Sequence, residues 1–527
     1  MLPDTETYSS KPTVLERTFQ SIKAWFFSQL LFQKLRNPLG FVLLSVLALG
    51  LSYLLTLVEM KYGVVLLAGI LGLPVVGACI YHQKFSIYLI LTISIFVELF
   101  RKYNIPFGTA LDILLFISFF GILIHQVQDR RKGFAKSPIS AWVMVWVFYN
   151  LIQVLNPWAG SQMAWLYTVR SMAGLVLLYF VACFAFNNLR TIYWTLKLIL
   201  GLAFLSALYG LKQEFLGFTN AEMAWLYSDP ERFQLIFQWS RLRIFSFFSD
   251  PTNFGIYMSY TGTLCFTLLM GPFRPWQKML LGFAGFCMFL SMAYAGSRTP
   301  FVLVPFGFIV FTLLTLSRRI IMVMGCMLVL GVGFMMKSTS SAVVYRIQSA
   351  FDPTKSDDTV KVCFDNHKLF QPFIYRHPFG AGLGSSGLGG RRFTPDSFLA
   401  SFAHDSGFVR IAVELGWIGL ILYCLFLFTA VRTAIYYFLR VRNPKIKAIY
   451  LSITCMLFQL TLANYPQEAI VQLPTSIIFY VSLAMVVKLK EYDDIPDEPR
   501  EARPERVVAP APEVDPQPEL SLEAIEK

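Results

Sequence analysis

The stretch from Arg376 to Gly419, RHPFGAGLGSSGLGGRRFTPDSFLASFAHDSGFVRIAVELGWIG, gathers glycines, arginines, a His-Asp pair and a helix start into one polar interruption. In Pro378-Phe-Gly-Ala-Gly-Leu-Gly384, followed by Ser385 and Ser386, the glycines Gly380, Gly382 and Gly384 let a loop approach a ligand closely and turn N–H groups toward an anion. The spacing matches no nucleotide-binding loop, and glycine-rich turns are common, so the glycines alone are a weak signal. His404, Asp405 and Ser406 stand directly before the helix start, where Asp405 or Ser406 is placed to cap it. A carboxylate or imidazole at a helix mouth beside arginines suits a general base acting on a hydroxyl. A helix cap followed by an Arg410 to Glu414 pair at i,i+4 spacing explains Asp405 and Glu414 equally well, and both explanations stay open.

The elements that must position these residues are apolar spans. The chain is 56% hydrophobic and 16% aromatic with 15% charged residues, which describes a polytopic membrane protein and excludes a soluble core. Runs of about 20 apolar residues begin near Gly40, Gly63, Phe85, Phe107, Ile139, Tyr167, Thr191, Asn253, Gln277, Pro300, Ile320, Phe408, Ala448 and Ala469. The expected fold is an all-α polytopic transmembrane bundle of about fourteen spans over residues 40–490. Lys84, Arg130 to Lys136, Arg190, Arg274, Lys278, Arg318, Arg319 and Arg432 to Lys447 fall on one side, together with both termini. That side is expected to be cytoplasmic, so two long loops, about 212–252 and 337–406, face outward. A net charge of +13 is then explained by topology rather than by nucleic acid.

Residues 1–39 carry no cleavable signal. Within them Leu15, Phe19, Ile22, Trp25, Phe26 and Leu30 recur at helical spacing among basic residues, as in a helix lying on the inner leaflet. Residues 491–527 turn to Pro, Glu, Asp and Ala and read as a disordered cytoplasmic tail, open to a chain-length regulator or export partner. Seven of the eight cysteines fall in expected spans and the histidines are dispersed, which implies neither a disulfide framework nor a metal site.

Outward loops nevertheless carry Arg170, Arg241, Arg243, Arg298, Arg346, Arg376, Arg391, Arg392 and Arg410, against the positive-inside bias. A planar guanidinium fork suits phosphate oxygens, so the pattern points to a lipid-linked phosphate or diphosphate. Headgroup anchoring, or local ion pairs with Glu231, Asp250 or Glu414, is the competing account of any one arginine. Two local patterns are sharper. In Arg243-Ile-Phe-Ser-Phe-Phe-Ser-Asp-Pro-Thr-Asn253 a turn at Asp250-Pro251 and a cap at Asn253 place Arg243 above a helix mouth. In Ala295-Gly-Ser-Arg-Thr-Pro300 a short hairpin holds Arg298 at the membrane surface, with Pro300 starting the next helix.

RIFSFFSDPTNFG, AGSRTP, PFGAGLGSSG and DSGFVRIAVELGWIG together resemble the O-antigen ligase and O-antigen polymerase superfamily of bacterial membrane glycosyltransferases, over about Arg170 to Leu420. The resemblance implies a GT-C-like fold and a polyprenyl diphosphate-linked glycan donor, used without metal or cofactor. Arg243 and Arg298 match the family's diphosphate-binding arginines, and Arg170 and Arg376 are expected to add to the same diphosphate site. By the same resemblance an acceptor hydroxyl would attack the anomeric carbon with inversion, and Asp405 or His404 would take the proton. Gly380, Gly382, Gly384, Ser406 and Glu414 shape the loop or hold the glycan. Counted back from Gly416, Asp405-Ser406 occupies the place where the family's ligases show His-Asn, with His404 displaced by one residue. That resembles the polymerases of repeat units instead. Lys361 and His367 stand where the family often has an arginine.

The expected function is therefore a polymerase of lipid-linked oligosaccharide repeats (O-antigen or exopolysaccharide) on the outer face of the cytoplasmic membrane. A ligase that moves the glycan to a lipid core or protein is the alternative in the same chemistry. A glycan transporter is the alternative of another class, and it calls for paired charges or broken helices near the midplane of several spans.

Overall fold

The computed structural model describes residues 74–102, 107–129, 135–238, 241–336, 370–401 and 406–493, with isolated positions before 74 and at 348. Contacts divide the chain into units 1–78 and 79–527, and the elements below belong to the second. The helix expected over 14–35, nearly all of the spans expected at Gly40 and Gly63, Arg130 to Lys132, Arg346, Lys361, His367 and the tail beyond Asp493 lie outside the described residues.

Five helices come first: α1 (Gln83–Lys102), α2 (Phe107–Asp129), α3 (Pro138–Ile152), α4 (Gln162–Ala185) and α5 (Leu189–Phe215). Short α6 (Asn220–Tyr227) and α7 (Pro230–Ile236) lead to an antiparallel hairpin of β1 (Phe237–Gln238) and β2 (Arg241–Leu242). The bundle resumes with α8 (Pro251–Leu269), α9 (Pro275–Ala295), α10 (Arg298–Thr315) and α11 (Arg318–Met336). After α12 (Gly387–Phe393) it closes with α13 (Gly407–Arg440), α14 (Pro444–Ala463) and α15 (Thr475–Leu489). Local chemistry sets many of the starts. Ser137, Ser161, Asn188 and Asn443 cap α3, α4, α5 and α14 through side-chain oxygens, and proline opens α3, α8, α9 and α14, where no N–H partner is needed.

Among the described residues nine helices are long and apolar enough to cross a membrane, within α1 to α5, α9, α10, α13 and α14. The chain is a helical integral membrane protein. The spans expected at Asn253, Ile320 and Ala469 are helices, α8, α11 and α15, but stand outside those nine. Two of them make the core. All of α15 is buried, and α8 is buried nearly all round against α9, α10 and α14. A helix enclosed by protein need not be uniformly apolar. In α8 Thr261, Thr263 and Thr267 bond back to the carbonyls of Tyr257, Ser259 and Thr263, so their hydroxyls are satisfied within the helix.

Two boundaries differ from expectation. Arg170 lies inside α4 and not in a loop, because Ser161 caps that helix well before Tyr167. Residues 491–493, expected in the tail, are packed: Tyr492 donates to the Phe186 carbonyl (2.8 Å), and Asp493 accepts from the N–H of Arg442 and Asn443 (3.0 and 2.8 Å).

Candidate functional site

Arg243 reaches the short connection that carries Arg298, at one end of the bundle. The loop carrying Arg243 is fixed first. Buried Gln213, at the end of α5, accepts from the N–H of Phe245 and Ser246 (3.1 and 2.7 Å) and donates to Glu222 (2.7 Å). Ser246 is left-handed (φ 51°), a costly conformation for a side-chain-bearing residue. It is held there from three sides, since its hydroxyl donates to Ser206 O (2.7 Å) and its carbonyl accepts from Lys102 Nζ (3.1 Å). Burial alone would raise the Glu222 carboxyl. Hydrogen bonds from the N–H and hydroxyl of Thr219, from Gln213 and from Tyr209 outweigh it and hold the group below the ordinary glutamate value.

Arg243 is 9% exposed, and its Nε donates to the carbonyl of Ala295 (2.9 Å), the last residue of α9. Gly296, left-handed at φ 60°, ends that helix, and Arg298 is the first residue of α10. The hairpin is thus shorter than expected, and Arg298 sits on the positive end of a helix dipole. Beside it Asp250 caps α8 through Oδ1 to the N–H of Thr252 and Asn253 (2.9 Å each). The expected cap, Asn253, instead donates its side-chain amide to Asp250 Oδ2 (2.6 Å). Gly255 of α8 lies so close to Pro300 that a Cβ would stand 2.7 Å from its Cγ. The Arg243 side chain, the Arg298 position and the starts of α8 and α10 thus lie about one hairpin.

The glycine loop is built on a broken helix. Gly416 in α13 has φ 73° and ψ −179°, so Gly407–Leu415 is a separate half-helix and the membrane-crossing part starts at Trp417, not at Phe408. The 24 residues from there to Arg440 rise roughly 36 Å, enough to cross a hydrocarbon core. At the break three carbonyls have partners outside the helix. Ala381 N–H donates to Val413 O and Gly382 N–H to Glu414 O (2.9 Å each), while the Tyr149 hydroxyl donates to Leu415 O (2.7 Å). In return Ile418 N–H donates to Pro378 O (3.4 Å). A Cβ on Gly380 would lie 2.5 Å from the Glu414 carbonyl, and one on Gly416 would collide with Pro378 O. Gly384 packs equally closely on Ala164 and Thr168 of α4. The glycines therefore serve close backbone approach to α13 and α4.

The half-helix begins at Ser406, whose hydroxyl oxygen accepts from Val409 N–H (3.5 Å). Its next turns present Arg410 and Glu414. Arg410 Nε lies 3.4 Å from Glu414 Oε1, and its NH1 donates to Glu468 Oε2 (2.7 Å). Buried Glu414 also accepts from the Ser386 hydroxyl (2.7 Å), tying the half-helix to the glycine loop. Gly407 N–H donates to Asn464 O (3.0 Å) at the end of α14. Lower down, Gln459 of α14 donates to Leu303 O of α10 (2.9 Å). Arg298 is five residues from Leu303 and Asn464 five from Gln459, so both stand about 7 Å above that contact. The arginine hairpin and the half-helix mouth are level with each other. His404 and Asp405 lie outside the described residues.

The other expected residues go elsewhere. Arg170 pairs with Asp112 (3.3 Å) and lies over the ring of Tyr167; Arg241 pairs with Glu214. Local ion pairing accounts for both, as it does for Arg410. Arg376 is exposed at the end of a helical turn over 370–376, and Arg392 of α12 lies 5.0 Å from the Tyr167 ring centre. Gln213, Tyr149, Asn156 and Glu468 went unnoticed in the sequence. For Glu468 a signal existed, since a carboxylate directly before an expected span at Ala469 must find a partner. Among the described residues no three His, Cys, Asp or Glu side chains gather to hold a metal ion.

Residues 283–424, covering α9 to the first part of α13, match the family model described as O-antigen ligase. No curated protein matches the chain.

Proposed function

As a member of the O-antigen ligase and O-antigen polymerase superfamily, the chain is, we propose, a polymerase that joins polyprenyl diphosphate-linked oligosaccharide repeats on the outer face of the bacterial cytoplasmic membrane. The observation that carries this is the bond from Arg243 Nε to Ala295 O, which brings Arg243 to the hairpin of Arg298. Two guanidinium groups at a helix start suit a diphosphate, whose charge grows as it leaves the sugar.

In the proposed reaction the acceptor hydroxyl attacks the anomeric carbon from the face opposite the diphosphate. A new C–O bond forms as the bond to the diphosphate breaks, and the anomeric centre inverts. Arg243 and Arg298 neutralise the departing diphosphate. The hydroxyl proton goes to Asp405 or His404, which directly precede the cap Ser406. Arg410, Glu414 and Glu468 hold the half-helix at the level of Arg298. Both termini are on the cytoplasmic side, following the distribution of Lys and Arg.

Ligation to a lipid core or protein is the second reading, favoured by the description of the matched family. Purified protein given only the lipid-linked repeat separates the two. A ladder of lengthening lipid-linked products supports polymerisation. Transfer that appears only after a lipid core or protein acceptor is added supports ligation, and no transfer with any acceptor returns the weight to transport.

A further inference from the structure

Beside the glycine loop, and apart from the arginines, lies an aromatic surface that the proposed chemistry leaves unused. Trp158, between α3 and α4, and Phe379, at the head of the glycine loop, lie nearly parallel, with centroids 6.3 Å apart and planes 22° apart. His377 meets Trp158 edge-on at 5.7 Å and stacks on Phe373 at 4.1 Å. Trp158 is 45% and Phe379 43% exposed.

One side chain ties the parts of this surface together. Asn156 donates its amide to the carbonyls of Phe379 and Gly380 (3.0 and 3.1 Å), and its side-chain oxygen accepts from Trp158 N–H (3.0 Å). The Asn156 amide also donates to buried Gln153 (2.8 Å). A second tie is the contact of Gly382 with Ala159, where a Cβ would stand 2.7 Å from the alanine methyl. Rings that merely float at a bilayer interface need no such fixed backbone. Preorganised, half-exposed rings are what a ligand with a flat apolar face requires.

We propose that Trp158, Phe379 and His377 form a stacking subsite for a sugar ring of the glycan. A pyranose presents an apolar face of C–H groups rimmed by hydroxyls, which matches aromatic faces bordered by a polar edge. His377 supplies that edge. Its Nδ1 bonds the Phe373 carbonyl (2.9 Å), which can only accept, so in the neutral ring Nδ1 carries the proton and Nε2 is the nitrogen left to accept from a hydroxyl. The proposal takes its ligand class from the transfer function above and adds where the glycan is gripped.

The test uses full-length protein in detergent and two probes: the host's repeat-unit oligosaccharide freed from its lipid, and farnesyl diphosphate, which carries no sugar. Saturation-transfer NMR should show magnetisation passing from the protein to sugar C–H protons. The signal should fall about tenfold in Trp158→Leu and Phe379→Leu and survive in Trp158→Tyr, with farnesyl diphosphate binding unchanged in all three. In turnover with the lipid-linked repeat, the leucine variants should raise KM about tenfold and leave kcat within about twofold. Undiminished sugar contact in the leucine variants overturns the proposal. So does loss of farnesyl diphosphate binding in step with the sugar, which marks a structural or lipid-anchoring role. Wild-type protein that contacts the sugar yet transfers nothing removes the transfer function and leaves the platform standing.

Discussion

Gly382 donates its backbone N–H to the carbonyl of Glu414, across a helix broken two residues later at Gly416. That bond makes the glycine loop and the broken helix one device: the loop supplies two of the donors the helix lost, and the helix holds the loop flat against itself. Gly416→Ala should then be severely disruptive, since an alanine must adopt φ near 73° and its Cβ collides with Pro378 O. A loss of about 1–3 kcal/mol from strain alone is expected. Gly201→Ala, in open space on α5, should be neutral or slightly stabilising. Thermal melts of the two purified variants make the comparison; equal melting temperatures would contradict the described break.

The charged cluster on the half-helix gives a second expectation. Arg410 is flanked by Glu414 and Glu468, and stranding a largely buried charge costs roughly 3 kcal/mol. Glu468→Leu and Arg410→Met should each destabilise the protein, and the double variant should lose clearly less than the two effects added. A double-mutant cycle read by denaturation checks this, and strict additivity would show the pair to be uncoupled.

The loop that carries Arg243 should be sensitive to acid. Glu222 is held below its ordinary pKa, so the charged form favours the folded state. Its contribution is complete above the unfolded value, about pH 4.3, and is lost as pH falls from there through the lower folded value. Melting temperatures of wild type and Glu222→Gln should therefore converge as pH drops below that value and stay apart at pH 7. A gap that is constant with pH would remove the Glu222 carboxylate from the account.

Much of this was readable in advance where the cause is local. Asp250-Pro251 ends a turn and starts a helix in the sequence as in the structure, and Ala295 to Pro300 is a tight connection in both. Ser406 caps α13 and Arg410 meets Glu414, as i,i+4 spacing requires. What escaped depends on distant partners. Nothing near Arg243 in sequence announces Gln213 or Ala295, and Glu468 reaches Arg410 from 58 residues away. Arg170 was misplaced because a long apolar run hides a helix start at Ser161. Gly416 served in the sequence only as a landmark for the family motif; that it breaks the helix was not legible, because its role is set by Pro378 and Gly380 across the loop.

The base is a separate question of chemistry. Asp405→Asn should lower kcat about a hundredfold or more and remove the acidic limb of the pH–rate profile if the carboxylate takes the proton, with His404→Asn milder. The reverse ranking, measured on the same lipid-linked repeat, would assign the proton to His404.

The central claim is that Arg243 and Arg298 act together on a lipid diphosphate. Arg243→Gln, Arg298→Gln and the double variant should be compared for turnover of the lipid-linked repeat and for farnesyl diphosphate binding, with Arg241→Gln as the outlying control. Each single variant should lose about a hundredfold in kcat/KM, the double little more than either alone, and the control almost nothing. Near-normal turnover by folded Arg298→Gln, or an equal loss in Arg241→Gln, would contradict the account.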